Sequence, residues 1–424
     1  MAKARGYRVS DRLFLWMLSD PARPVLVGEL NSVRAPRGVS LRYADTWLAR
    51  GFALSEDLPL VPNEFLPMER DTSAGAVDDA RPDRWGERVI RVLDKPPRLS
   101  LLEYLYFAGH DRFGALGVSI TAAEYVPRRI GPLPNLEETA AVEALVRKVL
   151  ANEPVREAER RLIAPGVTMG GARPKALLDV SGEQWIVKFA PGDPTDTPLI
   201  EHASMTLARQ AGIRTAETMP IKLVDGHALA IKRFDRAGPR RVHALTANVA
   251  LKAAGEELGY PELAQLLRRR GVVLGEVSIA RMRELFRRMV FNILIDNTDD
   301  HEKNHVLLVD DAQRYDLSPA FDVLPSGQAL GYQQMRVGAH QADSTLENAM
   351  SMSVLFALKK DQAAREVERV ALVVARWKKH FARAGVRPRD LDMLAEQIDR
   401  PFLADQRRAF RARATKKRPV IPGQ

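Results

Sequence analysis

Between Phe291 and Val323 the chain reads FNILIDNTDDHEKNHVLLVDDAQRYDLSPAFDV, with acids, imidazoles and amides set among apolar runs more densely than in any other segment. Two chemistries compete for it. His301-Glu302-Lys303-Asn304-His305 spells H-E-x-x-H, which binds zinc only on a helix, where two histidines four apart share a face and the glutamate serves as base. The flanks predict no helix. Asn297-Thr298-Asp299-Asp300 is a run of turn formers, and Val306 to Val309 reads as a short strand before Asp310-Asp311. The second chemistry rests on Asp299 and Asn304, spaced D-x-x-x-x-N. An aspartate opening a short loop can accept a hydroxyl proton, and an amide oxygen five residues on can face a magnesium ion. A further oxygen ligand is then expected past the next strand, and Asp322 in Ser318-Pro319-Ala320-Phe321-Asp322-Val323 is placed for it. Oxygen donors suit magnesium better than two imidazoles would. Taken alone, the spacing also fits a polar turn capped by Asp and Asn.

D-x-x-x-x-N is the spacing of the protein-kinase catalytic loop. The combination D-D-H-x-K-N followed by Y-D-L-S-P-A-F-D resembles the catalytic core of the HipA-type serine/threonine kinases, the toxin half of bacterial toxin–antitoxin pairs. The resemblance implies Asp299 as base, Asn304 and Asp322 on metal, Lys303 on the transferring phosphoryl group, and ATP with Mg2+ as cofactors. His301 is assigned to the nucleotide-side loop, holding it through a backbone hydrogen bond.

The elements that would position these groups lie upstream. Gly166 to Lys175 carries the pair Gly170-Gly171 before Ala172, and paired glycines let backbone amides approach phosphate oxygens, although such pairs also mark plain turns. The family's matching loop carries an autophosphorylated serine, and here the matching hydroxyl is Thr168. Lys188 sits among Trp185, Ile186, Val187 and Phe189, where a lysine must snorkel outward or meet an anion. The resemblance makes it the nucleotide-binding lysine, held by Glu201 at the start of a helix expected over Glu201 to Ala211; the bland reading of Glu201 is a first-turn acid. Asp225-Gly226 predicts a hairpin between Met219–Val224 and His227–Phe234, whose end, Lys232, Arg233 and Phe234, is the candidate for backbone contacts to adenine. Met282, Leu285, Phe286, Met289 and Ile293 predict a helix running into the catalytic loop, and Val367 to Phe381 repeats that spacing. Asp78-Asp79-Ala80-Arg81-Pro82-Asp83-Arg84-Trp85-Gly86 and Asp111-Arg112-Phe113-Gly114-Ala115-Leu116 look like the family's two N-terminal signatures and are read as structural, fixing the N-terminal unit against the kinase body.

The 424 residues allow two or three lobes, and the absence of cysteine excludes disulfides, thiolate metal sites and thiol catalysis. No apolar run is long enough to span a bilayer and the polar start has no signal core, so the expectation is a cytoplasmic protein without a membrane partner. Of the net charge of +10, much is gathered in Arg407 to Arg418, seven basic residues and no acid, read as a solvated tail able to touch nucleic acid or an acidic partner. The expected fold is α+β, a bilobal protein-kinase-like fold with a β-rich N-lobe and a mainly helical C-lobe. Its segments are 1–130, an additional small β-rich subdomain; 131–236, the N-lobe; 237–405, the C-lobe; and 406–424, the tail. The resemblance further implies a protein substrate, with aminoacyl-tRNA synthetases among the family's targets, a small helix-turn-helix antitoxin, and operator DNA reached through it. Two other readings stay open, a catalytically silent corepressor and a small-molecule phosphotransferase.

Overall fold

The alternating segments near the start of the chain form strands. In the computed structural model β1 (Arg12–Met17), β2 (Val25–Arg34), β3 (Arg37–Tyr43), β4 (Glu64–Phe65), β5 (Thr72–Ser73) and β6 (Leu116–Ser119) make one sheet in the order β4-β3-β2-β1-β6, with β5 parallel to β3. Leu13 and Leu15 of β1 are fully buried while Arg12 is exposed, the period of two that puts one face of a strand into a core. The structure describes residues 9–126, 128, 132–166, 171–272 and 276–415, with side chains to residue 410. The chain divides into two compact units, Met1–Val187 with Asp235–Leu245, and Lys188–Phe234 with Thr246–Gln424. These units cut across the segments expected from sequence, since residues 131–187 cluster with the first.

Helices α1 (Asp45–Arg50), α2 (Arg84–Leu93), α3 (Leu101–Phe107) and α4 (Thr139–Ala151) complete the first unit, with β7 (Lys175–Val180) and most of β8 (Glu183–Lys188). Between β7 and β8, Ser181 and Gly182 both take positive φ, +55° and +81°, as a two-residue hairpin turn requires. The two N-terminal signatures brace this unit internally. Asp83 caps α2 by accepting from the Gly86 amide at 2.8 Å, and its other oxygen pairs with the fully buried Lys175 ammonium. Burial raises the Asp83 carboxyl pKa, more than Lys175 lowers it. The Trp85 indole donates to the Lys175 carbonyl at 2.7 Å. The buried Arg112 guanidinium donates to the carbonyls of Ala80, Leu105 and Gly109 at 2.8–3.1 Å.

The second unit begins at the last residue of β8 and continues through α5 (Thr197–Gln210) and the hairpin β9 (Thr218–Lys222) and β10 (His227–Lys232). Helix α5 starts four residues earlier than expected, with a proline in its first turn, so Glu201 lies in the second turn and its role as a first-turn acid falls away. Then come α6 (Ala247–Ala253), α7 (Tyr260–Arg270) and α8 (Val277–Leu294), whose stripe from Met282 to Ile293 is buried to 1% exposure or less. Two short strands, Val306–Val309 and Tyr315–Leu317, pair antiparallel after it. Helices Leu346–Ser351, Lys360–Val374, Trp377–Arg383, Pro388–Ile398 and Pro401–Thr415 follow. The apolar spacing of Val367 to Phe381 is carried by two helices, not one, with the break at Ala375-Arg376.

The C-terminal run needs a correction. Helix Pro401–Thr415 carries four of its seven basic residues, and Arg407 is 6% exposed, donating to the carbonyls of Leu294 at 3.3 Å and Ile398 at 2.7 Å and pairing with Asp399 at 2.7 Å. Leu294 is the last residue of α8, so this guanidinium caps the helix that delivers the catalytic loop. Arg407→Ala leaves those carbonyls without a donor and is expected to cost about 1–3 kcal/mol, read as a lower urea midpoint at unchanged slope. An unchanged midpoint would return Arg407 to the solvated tail.

Candidate active site

Lys188 ends β8 with its side chain 3% exposed. Its ammonium lies 2.7 Å from Glu201 of α5 and 2.5 Å from Asp322. An ammonium this deep is tolerable only with counter-charges. Burial alone would lower the Lys188 pKa, but the carboxylates of Asp322 and Glu201 outweigh it and the net shift is upward, so Lys188 is a fixed cation. Glu201 is 2% exposed and Asp322 15%, so only Asp322 opens toward solvent.

Asp322 itself has φ +58°, in the left-handed region that glycine favours and that Asn and Asp tolerate best among side-chain-bearing residues. The segment leading to it is pinned from three directions. The Ala320 amide donates to the Arg214 carbonyl at 2.7 Å and the Ala216 amide donates to the Ala320 carbonyl at 2.9 Å. Arg214 and Arg288 donate at 2.5 Å to the carbonyls of Leu317 and Ser318, and both guanidinium groups are held by Glu284 of α8. Arg281, on the same helix, pairs with Asp316 at 2.5 Å. Phe321 rests against Phe234, ring centroids 5.5 Å apart.

The H-E-x-x-H letters do not lie on a helix. His301 and His305 are extended and only Glu302–Asn304 makes one tight turn before the strand Val306–Val309, so the two imidazoles cannot share a helical face. Among the described residues no group of three or more His, Cys, Asp and Glu side chains gathers as a metal site. His305 is committed to Asp300, its Nε2 2.9 Å from a carboxylate oxygen that also accepts from the Tyr260 hydroxyl. All three residues are buried, and Tyr260 opens α7. Burial raises the Asp300 pKa, but His305 and Tyr260 outweigh it and the carboxyl lies below its usual range. Asp300 is therefore not a spare catalytic acid. It ties the residue next to Asp299 into the protein interior.

Asp299 is exposed, and its carbonyl faces the Asn304 amide nitrogen at 3.5 Å. The Asn304 amide oxygen is buried with no hydrogen-bond partner. An orphaned buried acceptor of this kind carries a cost of roughly 1–3 kcal/mol unless something else satisfies it. Asn304 and the two neighbours of Asp322, Phe321 and Val323, line one cavity of about 10 Å³. A neutral amide oxygen and one carboxylate are a donor set that magnesium accepts when phosphates and waters complete the shell. The residues present thus fit that ion, and they do not fit zinc.

Other expected site residues are placed less directly. Lys303 is exposed and His301 is half-buried with its Nδ1 unpartnered, so no backbone bond from that nitrogen holds the loop. The Lys232 amide already donates to the Glu217 carbonyl at 2.9 Å and is not available to adenine. Arg233 is 4% exposed. Gly171 and Ala172 belong to the first unit, where the Gly171 carbonyl accepts from Lys175 at 2.6 Å. Thr168 and Gly170 lie outside the described residues. Sequence reasoning missed Tyr260, His305, Arg214, Glu284 and Arg288. The signal for the last two was present, since Glu284 and Arg288 are charges four apart on the buried side of a helix.

Residues 167–377 match the HipA-like C-terminal domain. The Sinorhizobium fredii protein named "Putative kinase Y4dM" is 33% identical over 250 residues, which span 54% of this chain and 56% of that protein, so the match reaches little more than half the relative's length. Among solved structures, the HipA chain of a Shewanella oneidensis MR-1 complex of HipA, HipB and operator DNA superposes with a TM-score of 0.61 at 18% identity, over 95% of this chain and 97% of that one. That likeness gives the fold, mixed α and β of the HipA kind. The Helicobacter pylori proinflammatory kinase CtkA superposes at 0.44 and 14% identity over 59% of this chain and 94% of its own.

Proposed function

From the premise that residues 167–377 belong to the HipA-like C-terminal domain family, we propose that the chain is an ATP- and Mg2+-dependent kinase transferring phosphate to a serine or threonine hydroxyl of a protein. The observation that carries this reading is the buried Lys188 held between Glu201 and Asp322. A bare charge triad of this kind is poor stabilisation by itself, and it suits a group that must present a cation to phosphate oxygens. Lys188 binds the nucleotide phosphates, with Glu201 fixing its orientation. Asn304 and Asp322 would hold magnesium, which supplies charge neutralisation at the β- and γ-phosphates when bound. Asp299, exposed at the head of the loop, accepts the proton of the acceptor hydroxyl as its oxygen bonds to the γ-phosphorus and the bond to ADP breaks. Lys303 lies one residue from Asn304 on the exposed side and is assigned to the transferring phosphoryl group. The buried ties of Asp300 keep Asp299 and Asn304 at a fixed spacing.

The likeness to HipA in a complex with HipB and operator DNA supports a proposal of assembly as well. A small helix-turn-helix protein would neutralise this chain, and operator DNA would be reached through it. No described helix is long and apolar enough to cross a membrane, in keeping with the cytoplasmic location proposed.

The test is transfer of label from γ-labelled ATP to proteins of a cell lysate, followed by mapping of the labelled residues. Phosphoserine or phosphothreonine that disappears with Asp299→Ala is expected. Label confined to small molecules would move the reading to a metabolite phosphotransferase, and no transfer at all would favour a silent binding module.

A further inference from the structure

A second site lies in the first unit, independent of the groups above. Arg88 and Arg91 on α2 are spaced i, i+3 and share a helix face, and Lys95 follows two residues past its end, where the chain turns at φ +50°. They line a concavity of about 700 Å³ whose far wall is Asn152 to Val155, past the end of α4. That volume is in the range of small-molecule pockets, roughly 300–1,000 Å³.

The three cations are not consumed by neighbours. Arg88 is fixed in place by donating to the carbonyls of Val149 and Leu150 at 3.2 and 2.5 Å, which orients the guanidinium without neutralising it. Arg91 and Lys95 are exposed, and among the described residues neither makes a side-chain hydrogen bond or ion pair. Of the nearby acids, Asp94 pairs with Arg128 and Glu157 with Arg160 at 3.1 Å, while Glu87, one turn before Arg91, feels its charge but lies nearer Arg81, at 3.8 Å. Glu153 is the one carboxylate on the lining, against four cations, Arg88, Arg91, Lys95 and Arg160, of which Arg160 is paired with Glu157. A single last-turn cation is enough to complement the C-terminal end of α2. It does not account for three of them at a cavity whose lining also includes the apolar Val92, Leu93, Pro154 and Val155 beside Asn152, Glu153 and Arg160.

We propose that this concavity binds a small molecule bearing clustered phosphate groups on an apolar or aromatic body. Arg88 supplies a pre-oriented fork for one phosphate, Arg91 and Lys95 grip the next, and the apolar wall takes the body.

The full chain is titrated calorimetrically with inorganic tripolyphosphate, and then with a nucleoside triphosphate in a Lys188→Met background, which weakens the nucleotide site proposed above and is used at a temperature where its circular dichroism matches the folded parent. Saturable one-to-one binding of tripolyphosphate is expected, retained in Lys188→Met and weakened about 10-fold or more in Arg91→Glu/Lys95→Glu. The nucleoside triphosphate should bind Lys188→Met more tightly than tripolyphosphate does, because only it reaches the apolar wall. Both reversed residues are exposed, and an unchanged urea midpoint will show that the fold is intact. The proposal is overturned if the parent binds no tripolyphosphate at millimolar concentration, if Arg91→Glu/Lys95→Glu binds as the parent does, or if binding vanishes with Lys188→Met. Capture of single-stranded RNA without saturable tripolyphosphate binding would equally overturn it.

Discussion

Asp299→Asn is expected to bind Mg·ATP almost as the parent does while phosphoryl transfer falls by on the order of 10²- to 10⁴-fold. The substitution keeps shape and hydrogen bonding but removes the lone pair that takes the hydroxyl proton. Asp299 is exposed and holds the loop through its backbone carbonyl, so the variant keeps the contact to Asn304 and should fold normally. Asp322→Asn should fail differently. Asparagine accepts the left-handed backbone at φ +58° about as readily as aspartate, so the change removes charge and little else. It should weaken Mg·ATP binding as well as transfer, with partial recovery at high magnesium. Titration of both variants with ATP, with and without magnesium, beside a labelled-phosphate assay separates them. Loss of nucleotide binding in Asp299→Asn with both binding and transfer intact in Asp322→Asn would show the two roles to be assigned the wrong way round.

The largest stability effect is expected from Lys188→Met. It leaves the Glu201 carboxylate, 2% exposed, without its cation and beside a second acid whose partner has also gone. Removing one member of a buried pair costs about 3–5 kcal/mol. The same variant should lose ATP affinity by roughly 10- to 100-fold, the worth of a charged hydrogen bond to phosphate. Adding Glu201→Gln tests the cause. The double variant loses the stranded charge, so its denaturation midpoint should climb back at least half-way while nucleotide affinity stays low. If stability did not recover, the lost packing of the lysine stem, and not the unpaired carboxylate, would be responsible. If affinity recovered, Lys188 would have no part in binding phosphate.

Much of the site could be read from residue order because its parts are short-range. The D-x-x-x-x-N spacing, the strand after it and the approach helix α8 all follow from local pattern, as does the loop form of H-E-x-x-H, which the turn formers before it foretold. The pairing of Lys188 with Glu201 came from resemblance and not from spacing, and the contact of Lys188 with Asp322, 134 residues away, was not foreseen. What stayed hidden was three-dimensional. Asp300 looked like a turn former because its partner Tyr260 lies 40 residues away at the head of another helix. Arg407 looked solvated because a run of like charges carries no sign of the one member that turns inward. The start of α5 was placed late because the weight fell on Glu201 and not on Pro198, which was itself the better start signal.

The clamp formed by Tyr260, Asp300 and His305 bears on how control could be exerted over this chain. Its members are buried and Asp300 bonds both of the others, so the loop that carries Asp299 is tied to the interior in advance. Ligand binding then loses none of its free energy to ordering that segment, and the affinity of the resting protein is not reduced by a small competent fraction. An inhibitor that worked by disordering the loop would have to break this buried cluster first. Restraint that leaves the cluster intact would act instead where the site meets solvent, on the exposed Lys303 or the partly exposed Asp322 carboxylate.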